Sequence, residues 1–153
     1  MDKTDKIKEF LKKLGVEFES VEKKDSHLND TPRYVIITPE AALLIGNKGE
    51  TLLSLSHLLK KILSGDEEKE GRENYFIDIG DYQNNRIKDI KNKAVILGER
   101  ARFFKKDVEM NPMTSYERMI VHSTFADFSD LKTESVGFGP SRRVIIRFQE
   151  FPD

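Results

Sequence analysis

Residues 44–52 read Leu44-Ile45-Gly46-Asn47-Lys48-Gly49-Glu50-Thr51-Leu52, and the reading of this stretch decides the fold. Two glycines three residues apart split an apolar run into a short helical piece from Pro39 to Ile45 and a longer one from Glu50 to Leu63. Glycine accepts backbone angles that other residues avoid, and without a Cβ it lets main chain approach a ligand closely. The N-terminus of the following helix adds free N–H groups and positive potential, and Lys48 adds a charge. Such a loop can grip a sugar-phosphate backbone and leave the bases to an apolar groove between the helices and a nearby strand. A Walker phosphate loop is excluded, because the lysine lies inside the glycine pair and no Gly-Lys-Ser/Thr follows. Taken alone, glycines at this spacing are most often only a helix-to-helix turn. The flanking elements therefore carry the decision.

Upstream, Ile7, Phe10, Leu11 and Leu14 fall at helical spacing over residues 4–14, with Gly15 as a stop. Residues 16–23 alternate apolar and polar, as a half-buried strand does. A polar turn over 25–32 leads to a second strand over 33–38. Downstream, Leu52, Leu55, Leu59 and Ile62 line one face of the helix after the loop. Residues 64–73, with the charged run Asp66 to Glu70, read as a solvated loop before a third strand from Tyr75 to Ile79. The order is helix, strand, strand, helix, glycine loop, helix, strand.

The strongest helix signal follows, over residues 82–105. Ile87, Ile90, Ala94, Leu97, Ala101 and Phe104 alternate spacings of three and four and predict one apolar seam. Its polar side carries Arg86, Lys88, Lys91, Lys93, Arg100, Arg102, Lys105 and Lys106 against Asp89 and Glu99. Val108 to Met110 reads as a short strand, and Asn111-Pro112 breaks the chain. Thr114 and Glu117 form a capping box that opens a helix to about Phe128. Strands over 132–137 and 142–148 flank the turn Gly137-Phe138-Gly139-Pro140. A boundary near residue 82 divides the chain into 1–81 and 82–153. The fold class expected is α+β, a three-stranded sheet with helices followed by a second small three-stranded sheet packed with helices.

Composition narrows the function. The chain has 153 residues, 37% hydrophobic and 35% charged, which suits two small cores better than one large one. A net charge of -1, from 26 basic and 27 acidic residues, means that any basic site is local. There is no cysteine, which excludes disulfides and thiolate metal sites and fits a reducing cytoplasm, the expected location. His27, His57 and His122 lie far apart and make no metal-ligand pattern, so no cofactor is expected. No apolar run reaches the length of a membrane span, so no membrane insertion is expected. The charged opening Met1-Asp2-Lys3-Thr4-Asp5-Lys6 is unlike a signal peptide.

Arg118 and His122 stand four residues apart and share a helix face, with Ile120 pointing roughly the opposite way and Tyr116 near it. The pair is expected to face outward. Arginine can hold a phosphate with its forked donors. Histidine can stack on a base or donate to a phosphate. Spacing alone describes an ordinary polar helix surface.

Context again adds to both motifs. The element order and residues 44–52 resemble a type II KH domain, whose loops clamp single-stranded nucleic acid. The run Pro112 to Arg118, then His122, then Lys132 to Gly137, then Arg142-Arg143-Val144-Ile145-Ile146 looks like the C-terminal domain of the bacterial Jag family (KhpB, SpoIIIJ-associated), named for its Arg-x-x-x-His motif. Tyr82 and Arg86 open the long helix as in that family, and the resemblance covers about residues 4 to 149.

It implies binding of single-stranded RNA and a post-transcriptional role in cell elongation or division. Single-stranded DNA is a further ligand, and a second KH protein a further partner. By position, Gly46, Asn47, Lys48 and Gly49 are the first clamp and Arg118 and His122 the second, with Arg142 and Arg143 beside them. Jag proteins usually carry an additional N-terminal domain and linker ahead of the matched region. Their loop commonly has Lys-Arg where this chain has Asn47-Lys48, so its first site is less basic.

Other candidates read more plainly. His57 is expected to be structural or superficial, and His27 exposed. Phe103, Phe104, Phe125 and Phe128 are expected in the core, and Phe138, between two glycines, at the surface. No nucleophile–base pair emerges, so a binder is expected rather than an enzyme. A nuclease using His122 as base lacks a second histidine or carboxylate cluster. The rival from another class is a protein-interaction adaptor whose KH surface dimerises.

Overall fold

The computed structural model describes residues 2–28, 31–64 and 74–150, so Asp66 to Glu70 and part of the 25–32 turn lie outside the described residues. The fold is α+β, with two three-stranded sheets packed with helices. The chain divides into two compact units, Met1–Asn85 and Arg86–Asp153.

In the first unit, α1 (Lys3–Leu14) starts where the Asp2 side chain accepts the Asp5 N–H, and ends at Gly15 in the left-handed region. Ile7 and Leu11 are buried, whereas Leu14, expected on the same face, is exposed. β1 (Ser20–Lys24) pairs antiparallel with β2 (Arg33–Ile37), which pairs in parallel with β3 (Phe76–Ile79). A parallel pair needs a crossover, here α2 (Ala41–Ile45), the glycine loop and α3 (Glu50–Ser64). β1 starts four residues later than the alternation predicts. Val16 and Phe18 alternate because both pack against the core from the link after α1, whose Val16 N–H still bonds Leu11 O.

On α3 the buried face is Leu52, Leu55, Leu59 and Leu63, and the expected Ile62 is 42% exposed. At about 100° per residue, position 63 falls back in line with 52 and 59, and position 62 does not. Ile7, Leu11, Ile36, Leu59, Ile77 and Ile79 form the centre of this core.

A buried polar pair lies on the opposite face of the sheet, because Arg33 and Asp78 alternate with the core residues Tyr34, Ile36, Ile77 and Ile79. Arg33 donates to Asp78 at 2.8 Å, to Asp81 at 2.9 Å and to the Asp25 carbonyl at 3.0 Å. Asp78 in turn accepts the N–H groups of Gln83 and Asn84 at the start of α4 (Tyr82–Phe104). Burial raises the Asp78 carboxyl above its ordinary range, against the hydrogen bonds that lower it. Replacing either partner would strand a buried charge at a cost of about 3–5 kcal/mol.

In the second unit, β4 (Val108–Glu109) and β5 (Leu131–Val136) flank β6 (Arg143–Phe148), all antiparallel, with α5 (Ser115–Thr124) between β4 and β5 in the chain. On α4, Ile87, Ile90, Ala94 and Ala101 are buried as expected, and Leu97 is half-buried. Phe104 is 60% and Phe103 81% exposed, against expectation. A seven-residue repeat drifts about 20° per heptad on an α-helix, so the row 90, 97, 104 rotates out of the seam while Gly98 rotates in. A Cβ on Gly98 would stand 2.7 Å from the Phe125 ring, so only glycine admits that contact. Phe125 is buried as expected, and Phe128, also expected in the core, is exposed.

α5 ends four residues before the expected Phe128. Its Thr124 hydroxyl turns back onto Ile120 O at 2.8 Å, and Phe125 already caps the helix. β5 lies one residue earlier than expected, β6 starts one residue later and ends where expected, and Phe138 in their connection is 89% exposed, as expected. Among the described residues no helix is long and apolar enough to cross a membrane.

Candidate nucleic-acid interface

The glycine loop is shaped by its backbone. Gly46 has φ 73 and ψ -172, and a Cβ there would lie 2.1 Å from the Thr51 hydroxyl oxygen. No side chain fits that place or adopts that conformation without strain. Gly49, at φ 80, brings the loop against the Tyr82 ring, which a Cβ would meet at 3.1 Å. Between them Lys48 takes φ 53, a left-handed conformation rare for lysine. Asn47 and Lys48 are both exposed, so their side chains are displayed while the glycines hold the turn. Leu43, just upstream, is exposed too, beside the buried Leu44.

The second candidate is shaped by side chains. Thr114 caps α5 by accepting the Glu117 N–H at 3.2 Å, as the capping box predicts. His122, expected outward, instead lies against β5. One ring nitrogen contacts the Thr133 hydroxyl at 2.7 Å and the other the Ser135 hydroxyl at 2.9 Å. Thr133 and Ser135 share a sheet face with the buried Leu131, because strand side chains alternate. That spacing of two in Lys132-Thr133-Glu134-Ser135 was the signal available in the sequence. Burial, and then the Arg118 charge, lower the imidazole below its ordinary range. His122 is therefore a neutral ring held between two hydroxyls, and it fixes the orientation of the helix face that bears Arg118.

Arg118 is half-buried. It donates to the Ser115 hydroxyl at 2.7 Å, its Nε has no hydrogen-bond partner, and it meets no carboxylate among the described residues. Arg100 and Arg142 of the same unit likewise meet no carboxylate among the described residues, whereas four other arginines do. Arg86 pairs with Glu117, Arg102 with Asp130 and Glu99, and Arg147 with Glu134 and Asp107.

Of the other expected site residues, Arg143 pairs with Glu109 and also donates to Ser141 O, so its charge is largely compensated. Arg142 donates to Gly137 O at 2.8 Å and braces the turn that carries Phe138. On the basic side of α4, Arg86, Arg102 and Lys105 are engaged by acids. Lys88, Lys93 and Arg100, with Lys106 just beyond, are exposed and without a carboxylate partner among the described residues. The positive patch is thus smaller than the sequence promises, because cross-strand and interelement acids are invisible in a linear count.

Comparison with known proteins bears on both parts. A family model for the R-three-H domain, whose name spells out the arginine–histidine motif, matches residues 91–148. RNA-binding protein KhpB of Bacillus subtilis (strain 168) is 34% identical over 119 residues, covering 76% of this chain and 56% of that protein. RNA-binding protein KhpB of Clostridium symbiosum is 29% identical over 107 residues, covering 70% and 47%. That of Lactiplantibacillus plantarum (strain ATCC BAA-793 / NCIMB 8826 / WCFS1) is 27% identical over 113 residues, covering 74% and 34%. The chain spans about half the length, or less, of these relatives.

Proposed function

The chain belongs to the family of these KhpB proteins, and from that premise we propose that it binds single-stranded RNA at two places without catalysing a reaction on it. Residues 1–81 act as a KH domain and 82–153 as the Arg-x-x-x-His domain. In the first, Gly46, Asn47, Lys48 and Gly49 clamp the backbone. In the second, Arg118 holds a phosphate while His122, with Arg142 and Arg143 nearby, positions the surface. Two modest sites on one chain reinforce each other through effective concentration. Single-stranded DNA is a second ligand of the same sites. The cellular role is post-transcriptional regulation linked to elongation or division.

The observation that carries this reading is Arg118, a half-buried guanidinium that meets no carboxylate among the described residues, in a unit where Arg86, Arg102, Arg143 and Arg147 each meet one. A forked donor kept free of acids beside a neutral imidazole is suited to an external phosphate oxygen.

The test is a titration of a labelled single-stranded RNA against the chain and Arg118→Ala, over a range of salt. Wild type should show log affinity falling against log salt with a slope of about -0.7 per phosphate contacted. Arg118→Ala should bind about tenfold or more weakly, since a hydrogen bond to a charged group contributes about 1.5–3 kcal/mol. Equal affinity in both proteins would remove Arg118 from the site.

A protein-adaptor role is favoured by one feature, the exposed Leu58 and Ile62 one turn apart on α3. Sedimentation of the chain without RNA distinguishes it, because self-association through that face would give a dimer that Leu58→Glu dissolves.

A further inference from the structure

The last turns of α4 carry an aromatic and cationic surface that neither clamp accounts for. Phe103 is 81% exposed and Ile96 62%, and Phe104 stands edge-on to Phe103 with ring centroids 5.0 Å apart. Positions 96, 100 and 103 follow at spacings of four and three, so Ile96, Arg100 and Phe103 are neighbours on one helix face. Lys93 precedes Ile96 by three and joins the same face. Lys93, Arg100 and Lys106 meet no carboxylate among the described residues. Asp89 stands one turn before Lys93 on the same face and forms no ion pair among the described residues, whereas the acids beside Arg100 and Lys106 are engaged. Glu99 bonds Arg102, and Asp107 bonds Arg147 and the Phe148 N–H.

The backbone adds an independent mark. Lys105 takes φ 52, and only Lys48 of the glycine loop shares a positive φ among the described non-glycine residues. The Lys105 N–H bonds Arg102 O and the Lys106 N–H bonds Ala101 O, which closes the helix end in a form that usually uses glycine. Lys105 is tied to Glu150 at 3.0 Å. Strain of this kind persists only where the surroundings over-determine it, and it gathers at ligand clamps.

We propose that the C-terminal end of α4 is a base-stacking platform for single-stranded RNA, with Phe103 receiving a base on its ring and Lys93, Arg100 and Lys106 following the backbone. The inference rests on the RNA-binding reading above and extends it to a third place in the second unit. An exposed aromatic set among unneutralised cations is the combination that holds single strands without reading sequence. The charge also decides the occupant, because a polyanion compensates cations that meet no carboxylate among the described residues.

The experiment uses the full 153-residue chain and a short single-stranded RNA carrying 2-aminopurine, whose fluorescence falls when it stacks. Wild type, Phe103→Ala, Phe103→Tyr and the double variant Arg100→Gln/Lys106→Gln are titrated, with circular dichroism as the folding control. Phe103→Ala should weaken binding about tenfold and abolish part of the quenching, and Phe103→Tyr should restore both. The double variant should keep the quenching and flatten the salt slope by about 1.4, at 0.7 per contact. Wild-type affinity and quenching in Phe103→Ala, while Arg118→Ala weakens binding, would overturn the platform and leave the RNA reading standing. No binding by wild type would overturn both. A wild-type dimer that Phe103→Ala makes monomeric at unchanged RNA affinity would overturn the platform in favour of a contact between copies.

Discussion

The glycine loop and the Arg118–His122 face make opposite uses of the chain. In the loop, geometry resides in the backbone, with Gly46, Lys48 and Gly49 all at positive φ, and the side chains of Asn47 and Lys48 are left in solvent. On α5 the backbone is an ordinary capped helix, and geometry resides in the side chains that Ser115, Thr133 and Ser135 hold. Shape in the first case depends on what is absent, a Cβ. Shape in the second depends on what is present, a set of hydroxyls on a neighbouring strand. The two should therefore fail differently under substitution.

The largest effect is expected at Gly46. Gly46→Ala adds a Cβ where the Thr51 hydroxyl already stands and forces a backbone conformation that alanine resists. Overpacking and left-handed strain together should cost about 3 kcal/mol. Urea denaturation gives the value. A loss below about 1 kcal/mol would mean that the loop relaxes freely, and the comparison would lose its backbone side.

A smaller effect is expected at His122. Removing the ring in His122→Ala deletes two hydrogen bonds to hydroxyls, worth about 1 kcal/mol each, and frees the helix face beside Arg118. The effect on RNA affinity should overlap with that of Arg118→Ala, so the double variant should lose less than the sum of the two. Additive losses would show that the two side chains act separately.

The same ring gives a pH dependence of defined sign. The folded-state pKa lies below the ordinary value of about 6.5. The unfolded chain therefore takes up the proton first as pH falls. The stability contributed by neutral His122 is full above about pH 6.5 and is lost as pH drops through the folded pKa. Chemical denaturation of wild type and His122→Gln between pH 8 and 5 should show a steeper acid loss in wild type. Parallel curves would break the argument that burial and Arg118 hold this imidazole neutral.

The smallest change in stability is expected at Lys48. Lys48→Gly removes the charge and relieves a positive φ at once, so stability should stay within about 1 kcal/mol of wild type or rise. RNA affinity should fall all the same. Thermal melting beside an RNA titration separates the two readings, and unchanged affinity would show that the loop acts through its backbone alone.

Most of the architecture was legible in the sequence because periodicity reports directly on burial. The seam of α4 from Ile87 to Ala101, the capping box at Thr114 and the element order around the loop all follow from local pattern. Phe104 and Ile62 were misplaced because a repeat of three and four fits a helix only approximately, and the error grows with length. Val16 and Phe18 imitated a strand because packing, not pairing, made them alternate.

What the sequence determined alone was which residue types are available and in what local geometry: a glycine pair around Asn47-Lys48, and an arginine and a histidine one turn apart. Tertiary structure decided what each could do. It brought Glu109 to Arg143 and Asp130 to Arg102, left Arg118 without an acid among the described residues, and turned His122 onto Thr133 and Ser135. A charge is neutralised by what lies within about 4 Å of it. In these pairs that neighbour is 11 to 34 residues away along the chain, a distance over which local pattern carries no information.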